Sequence, residues 1–192
     1  LALGSAVLLA GSVSVFLRQR ALFTFTLAAG AGCWLAGNLL WLAGQSVFAV
    51  VPWWAGFLVL TIAGERLELS RFLPPSPVAQ RVFIAVLAGL TFGMVLNAQL
   101  FGAALLALAL WLLRQDIARR TVKDTGLTRF IAVCLLSGYA WLALAGATML
   151  AAGLAPGSAA YDAALHALML GFVFSMVFGH APIIFPAVLR VA

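Results

Sequence analysis

Two residues in this chain could do metal or proton chemistry inside a membrane, and both are histidines. His166 and His180 are the only two in 192 residues. They lie in a run without charge, HALMLGFVFSMVFGHAPIIFPAVL, residues 166–189. Neutral imidazole is a ligand for haem iron and for transition metals, and it also carries protons. On an α-helix their spacing falls roughly 40° short of four full turns. The two rings should therefore share a face, roughly 21 Å apart along the axis. That separation suits one haem in each half of a membrane. It equally suits one ligand and one proton-relay group.

Other polar residues sit near them in type if not in sequence. Glu65 and Arg66 fall where an apolar run meets the polar stretch ERLELSR. They suit proton uptake or the holding of a cofactor propionate. Glu68 and Arg71 extend this cluster with helical spacing, so local ion pairs are also expected. Asn38, Gln45, Asn97 and Gln99 are the remaining intramembrane or interfacial amides, with hydrogen bonding between helices as their first role. Beside the histidines runs a stripe of small residues: Ala163, Ala167, Gly171, Ser175 and Gly179. Small residues at every fourth position let helices pack closely. This places both imidazoles toward a helix bundle. Pro182 and Pro186 should bend or end the helix.

The elements that must position these groups are transmembrane helices. The chain is 65% hydrophobic and 8% charged, with mean hydropathy +1.15. A soluble domain is about half apolar and about a quarter charged. About 20 apolar residues cross a bilayer as a helix. Leu1–Leu17, Ala21–Gly44 and Val47–Gly64 are three such spans. Val82–Leu113 is a charge-free run of 32 residues. As one helix it would be about 48 Å long, against a hydrocarbon core of about 30 Å. Its centre reads LNAQL, so it is divided there, with the two halves extending back toward Pro77 and on past Arg114. Phe130–Leu154 and Ala163–Leu189 complete seven spans. Residues 1–192 thus read as a single all-α, polytopic membrane helix bundle. Leu1 at the start and VLRVA at the end point to a piece of a longer protein.

The charges fix an orientation. All eleven basic residues fall in alternate connections or the tail: Arg18 and Arg20; Arg66, Arg71 and Arg81; Arg114, Arg119, Arg120, Lys123 and Arg129; and Arg190. Lys and Arg collect on the cytoplasmic side. An external N-terminus and a cytoplasmic C-terminus satisfy this without exception, in what reads as a bacterial inner membrane. Trp53 and Trp54 then lie at the outer interface. The net charge of +6 therefore reflects topology and implies the lipid bilayer, not nucleic acid, as partner. Cys33 and Cys134 lie in apolar runs without metal-site spacing. No phosphate loop, dinucleotide glycine pattern or nucleophile elbow occurs, so no residue is assigned as catalytic.

Two resemblances bear on the histidines. Their spacing resembles the cytochrome b pattern, in which one helix offers histidines to two b haems. This chain departs from it in having no facing histidines. The segment HALMLGFVFSM (His166–Met176) resembles a segment of the NnrS family, with His166, Gly171 and Met176 at matching offsets. Those are multi-span bacterial membrane proteins associated with haem, copper and the response to nitric oxide. A looser similarity links H-x-x-x-L-G-F segments to relatives of the haem–copper oxidase catalytic subunit. The resemblances imply a haem- or metal-associated protein of respiratory redox or nitric-oxide response. Its cofactor is then haem b or copper, held by His166 and His180, with Glu65, Arg66 and Met176 in support. Second ligands would come from Met94, Met149, a partner membrane subunit or a homo-oligomer. The alternative is a transporter or channel component, or a membrane assembly subunit without catalysis.

Overall fold

Asn97 alone separates the two halves of the long charge-free run. Its backbone is extended (φ −169°, ψ 157°), its N–H donates to the Gly93 carbonyl, and its side-chain Oδ1 accepts from the Leu100 N–H at 2.8 Å. One residue thus ends one helix and caps the next, which is how an asparagine competes with helical backbone pairing.

The computed structural model of the chain describes residues 1–70 and 76–189, the Ser70 side chain excepted. Arg71, Arg190 and the prolines Pro74 and Pro75 of the link lie outside the described residues. The helices are α1 (Ala2–Arg18), α2 (Leu22–Leu42), α3 (Val47–Ser70), α4 (Pro77–Leu96), α5 (Ala98–Gln115), α6 (Ala118–Thr121), α7 (Gly126–Ala152), α8 (Ala159–His166) and α9 (Phe174–Leu189). A π-helical segment, Ala167–Val173, joins α8 to α9 without a break. Six of these runs are long and apolar enough to cross a membrane: α2, α3, α4, α5, α7 and the continuous Ala159–Leu189. The first apolar helix, α1, has 17 residues and is shorter. The protein is an all-helical integral membrane bundle.

Helices paired by hydrogen bonds in chain order, α1 with α2, α2 with α3 and α4 with α5, run antiparallel. Trp54, early in α3, donates its indole N–H to Asn38, late in α2, at 3.2 Å. Asn38 in turn donates to Ser5, early in α1, at 3.0 Å. At the opposite end Trp111 of α5 donates to the Ala79 carbonyl of α4. Arg18, Arg20, Arg66, Arg81, Arg114, Arg119, Arg120, Lys123 and Arg129 therefore gather at one end of the bundle. The exterior is greasy: Leu3, Val7, Phe92, Val95, Ile184 and Phe185 are exposed. In water such a surface would aggregate, but in hydrocarbon it meets chains as apolar as itself.

Packing between helices rests on glycine. A Cβ on Gly102 of α5 would sit 2.6 Å from the Leu150 nitrogen of α7, and one on Gly146 would sit 2.6 Å from the Leu106 nitrogen. These two backbones touch, and only hydrogen fits between them. The small-residue stripe also packs on α7. Gly171 lies against Trp141, Ser175 against Gly138, and Gly179 against Cys134. The expected seam is therefore present from Gly171 to Gly179, while Ala163 at its start is exposed.

The π segment changes what the seam does to the histidines. A π-helix bonds i→i+5, so each residue turns the chain less than in an α-helix. In an α-helix a stripe at every fourth residue drifts by about 40° per step. Underwinding offsets this drift and keeps the stripe against α7. His166 precedes the buried Ala167 by one residue and His180 follows Gly179 by one, about −100° and about +100° from the stripe. They thus flank it on opposite sides. Pro182 and Pro186 are carried inside α9, which continues to Leu189.

A buried charge network as candidate functional site

Arg66 stands in the sixth turn of α3, with its side chain turned inward. The residue is only 6% exposed. Its Nη2 lies 2.9 Å from His180 Nε2, and its Nη1 lies 3.7 Å from Asp116 Oδ2. Asp116 follows the last turn of α5. Its Oδ2 accepts from the Tyr139 hydroxyl at 2.6 Å and its Oδ1 from the Ala118 N–H at 2.7 Å. Tyr139, from α7, is fully buried. Four side chains from α3, α5, α7 and α9 so meet at the basic end of the bundle.

The donor count fixes the protonation of His180. A guanidinium only donates, so His180 Nε2 must accept. The ring proton then sits on Nδ1, which lies 2.6 Å from the Met176 carbonyl. His180 is neutral in this arrangement, and its Nε2 lone pair is occupied. One guanidinium cation faces one carboxylate anion, with a neutral imidazole and a neutral phenol completing the set. Burying an ion pair is costly unless its remaining hydrogen-bonding groups are satisfied. Asp116 meets that condition with two short bonds. Arg66 does not, because its Nε has no partner among the described residues. A buried polar group left open is a mark of an ion, water or ligand position.

His166 is elsewhere. It is exposed on the flank of the bundle, with Nδ1 2.7 Å from the Asp162 carbonyl. A carbonyl only accepts, so Nδ1 carries the proton and Nε2 is open. It lines a groove of about 480 Å³ with Trp141, Gly171, Phe174 and Phe178. His180 lines a different groove of about 340 Å³ between α3 and α9, together with Glu65, Met176 and Ala181.

The chain belongs to the family described as Domain of unknown function (DUF8744). The match covers residues 1–192. No curated protein and no solved structure matches the chain.

Of the residues singled out in the sequence of this family member, Arg66 and His180 come together directly. Met176 supports them through its carbonyl, while its side chain packs on Gly138. Glu65 is exposed at the groove beside His180. His166 joins none of these. Among the described residues, no group of three or more His, Cys, Asp and Glu could hold a metal ion. Met94 and Met149 are far from both histidines in role: Met94 packs on Gly56, and Met149 is buried against Gly102. Asp116 and Tyr139 were missed. Asp116 reads as one charge in a basic loop, and Tyr139 as one aromatic in an apolar span.

Proposed function

We propose that this is a seven-span protein of a bacterial cytoplasmic membrane that relays protons at its cytoplasmic end within respiratory redox chemistry. In this reading α1 is the first span, the N-terminus is external and the basic end is cytoplasmic. The gathering of basic residues at one end supports that orientation. One observation carries the relay: a buried guanidinium bonded to a neutral histidine, with a carboxylate as its second station. Ionisable groups inside a membrane are expensive and mark proton pathways.

The geometry suggests how a proton moves. A proton arriving at His180 Nε2 removes the acceptor that Arg66 uses. The guanidinium then closes the 3.7 Å gap to Asp116, which Tyr139 holds in place. Loss of the proton restores the Arg66–His180 bond. Dye-reported proton uptake into proteoliposomes tests this. Replacement of His180 by Gln should slow uptake at least tenfold, while Asn38→Ala at the other end should leave it unchanged. Equal rates in all three proteins would remove the relay.

The hydrogen bonding of His166 favours a second reading, a haem b or copper site. A ligating histidine normally donates its other ring N–H to a carbonyl or carboxylate, as His166 does to Asp162. The open Nε2 and the aromatic groove fit such a group, with the second ligand from a partner subunit or a second copy. His180 does not fit as its ligand while Nε2 accepts from Arg66. A bound haem would supply one-electron chemistry or nitric-oxide binding. A reduced-minus-oxidised spectrum with iron and copper assays tests this, and a preparation without bands or metal would sink it.

A further inference from the structure

The connection from α5 to α7 carries Arg114, Arg119, Arg120, Lys123 and Arg129, all of them exposed. None of them pairs with a carboxylate among the described residues. Asp116, in the same stretch, is turned inward: its side chain is 4% exposed and is engaged by Arg66, Tyr139 and the Ala118 N–H. Asp124 alone is left outside among these cations. On α6, Ala118 is fully buried and Val122 half-buried on one side, while Arg119 and Arg120 are exposed on the other. Depth says what these cations meet. Tyr139 lies about 20 Å along α7 from its start at Gly126. Its hydroxyl nevertheless bonds Asp116, at the end of α5. Even after the reach of the phenol toward the helix start, the connection begins well inside the end of α7 and climbs its flank. Phe130 and Val133, in that same stretch of α7, are exposed apolar residues. The cations thus stand beside lipid-facing side chains, not beyond the end of the bundle.

We infer that α6 and its flanks form a strap that binds the phosphate groups of anionic phospholipids. A lipid phosphate is the anion found at that depth, and its acyl chains continue into hydrocarbon beside Phe130 and Val133. A soluble acidic partner would have to reach the flank of the bundle through the headgroups. Tied to the bundle at Asp116 and at Gly126, the strap stays in the headgroup layer. Its charges therefore act within a Debye length, about 8 Å at physiological salt. Each Lys or Arg near an anionic surface favours it on the order of fivefold. A zwitterionic headgroup brings its own ammonium group and offers no such gain. Binding also bears on the buried network. The Ala118 N–H bonds Asp116 Oδ1 at 2.7 Å, so a headgroup that holds α6 also holds the counter-ion of Arg66 in place. Headgroup binding needs the membrane but not the proton relay.

The test uses the whole chain in phosphatidylcholine nanodiscs carrying a small share of phosphatidylglycerol with a photoreactive headgroup. Peptide mapping should place the label within residues 114–130. Unmodified phosphatidylglycerol should displace it, and phosphatidylethanolamine should not. Arg119→Gln, Arg120→Gln and Lys123→Gln together should reduce this labelling at least tenfold, while Arg119→Lys with Arg120→Lys should keep it. Arg18→Gln with Arg20→Gln, at the same end of the bundle, should leave it unchanged. The unfolding midpoint should rise when phosphatidylglycerol replaces phosphatidylcholine, in the wild type and not in the triple variant. Labelling that survives the triple change, or that phosphatidylethanolamine displaces equally, would overturn the strap. So would displacement by inorganic phosphate or a soluble polyglutamate peptide in place of phosphatidylglycerol, or an equal shift of the midpoint in both proteins. Proton uptake is scored separately: its absence counts against the relay, and absent labelling counts against the strap.

Discussion

Arg66 Nη2 and His180 Nε2 stand 2.9 Å apart, although 114 residues separate them in sequence. This bond closes the bundle, joining the third helix to the last. It also decides what His180 can do, since a donor-only partner makes Nε2 an acceptor and places the proton on Nδ1.

The tautomer is directly observable. Nitrogen-15 spectra of the histidine-labelled protein in bilayers should show His180 with a protonated Nδ1 and a bare, hydrogen-bonded Nε2. Arg66→Gln should shift the Nε2 signal. A spectrum with the proton on Nε2 would contradict the donor count.

Loss of Arg66 should be costly to stability. Arg66→Ala leaves the Asp116 carboxylate buried without its cation, a change of about 3–5 kcal/mol where a buried pair is broken. Tyr139→Phe should cost less, about 1.5–3 kcal/mol for a hydrogen bond to a charged group. Unfolding by denaturing detergent measures both, and Tyr139→Phe should fall between wild type and Arg66→Ala.

The glycine contact between α5 and α7 gives a third expectation. Gly146→Ala must force apart two backbones already in contact, and overpacking costs about 1–3 kcal/mol. Gly4→Ala and Gly11→Ala place a methyl group in open space and should be neutral or slightly stabilising. Comparable losses at all three positions would mean that the close approach is not what holds these helices.

Six of the seven expected spans were legible because hydropathy is a local property, while α1 is shorter than a full span. The division of Val82–Leu113 followed from its length and its polar centre LNAQL, and it falls at Asn97. The small-residue stripe marked the face that meets α7 from Gly171 to Gly179. The histidine row was not legible, because its phase depends on a π segment that seven apolar residues do not announce. The network was half legible. Arg66 and His180 stood out as costly residues. Their joining partners did not, since Asp116 is one carboxylate among basic loop residues and Tyr139 resembles any packed aromatic. Only the fold brings a loop charge and a buried phenol to the same guanidinium.

The end opposite the basic one offers a smaller test. Trp54, Asn38 and Ser5 form a hydrogen-bonded chain across α3, α2 and α1. Hydrogen bonds between membrane helices average about 0.6 kcal/mol. Asn38→Ala should therefore lower stability only slightly and should release α1, seen as faster amide exchange in residues 2–18. Unchanged exchange in α1 would show that the chain does not hold it.

The central claim is that His180 and Arg66 act as one unit in moving protons. A double-mutant cycle on proton uptake in proteoliposomes tests it most directly, using His180→Gln, Arg66→Gln and the double variant. A shared step predicts that each single change slows uptake at least tenfold and that the double variant is no slower than either. Multiplying losses, or uptake at the wild-type rate in the double variant, would contradict it.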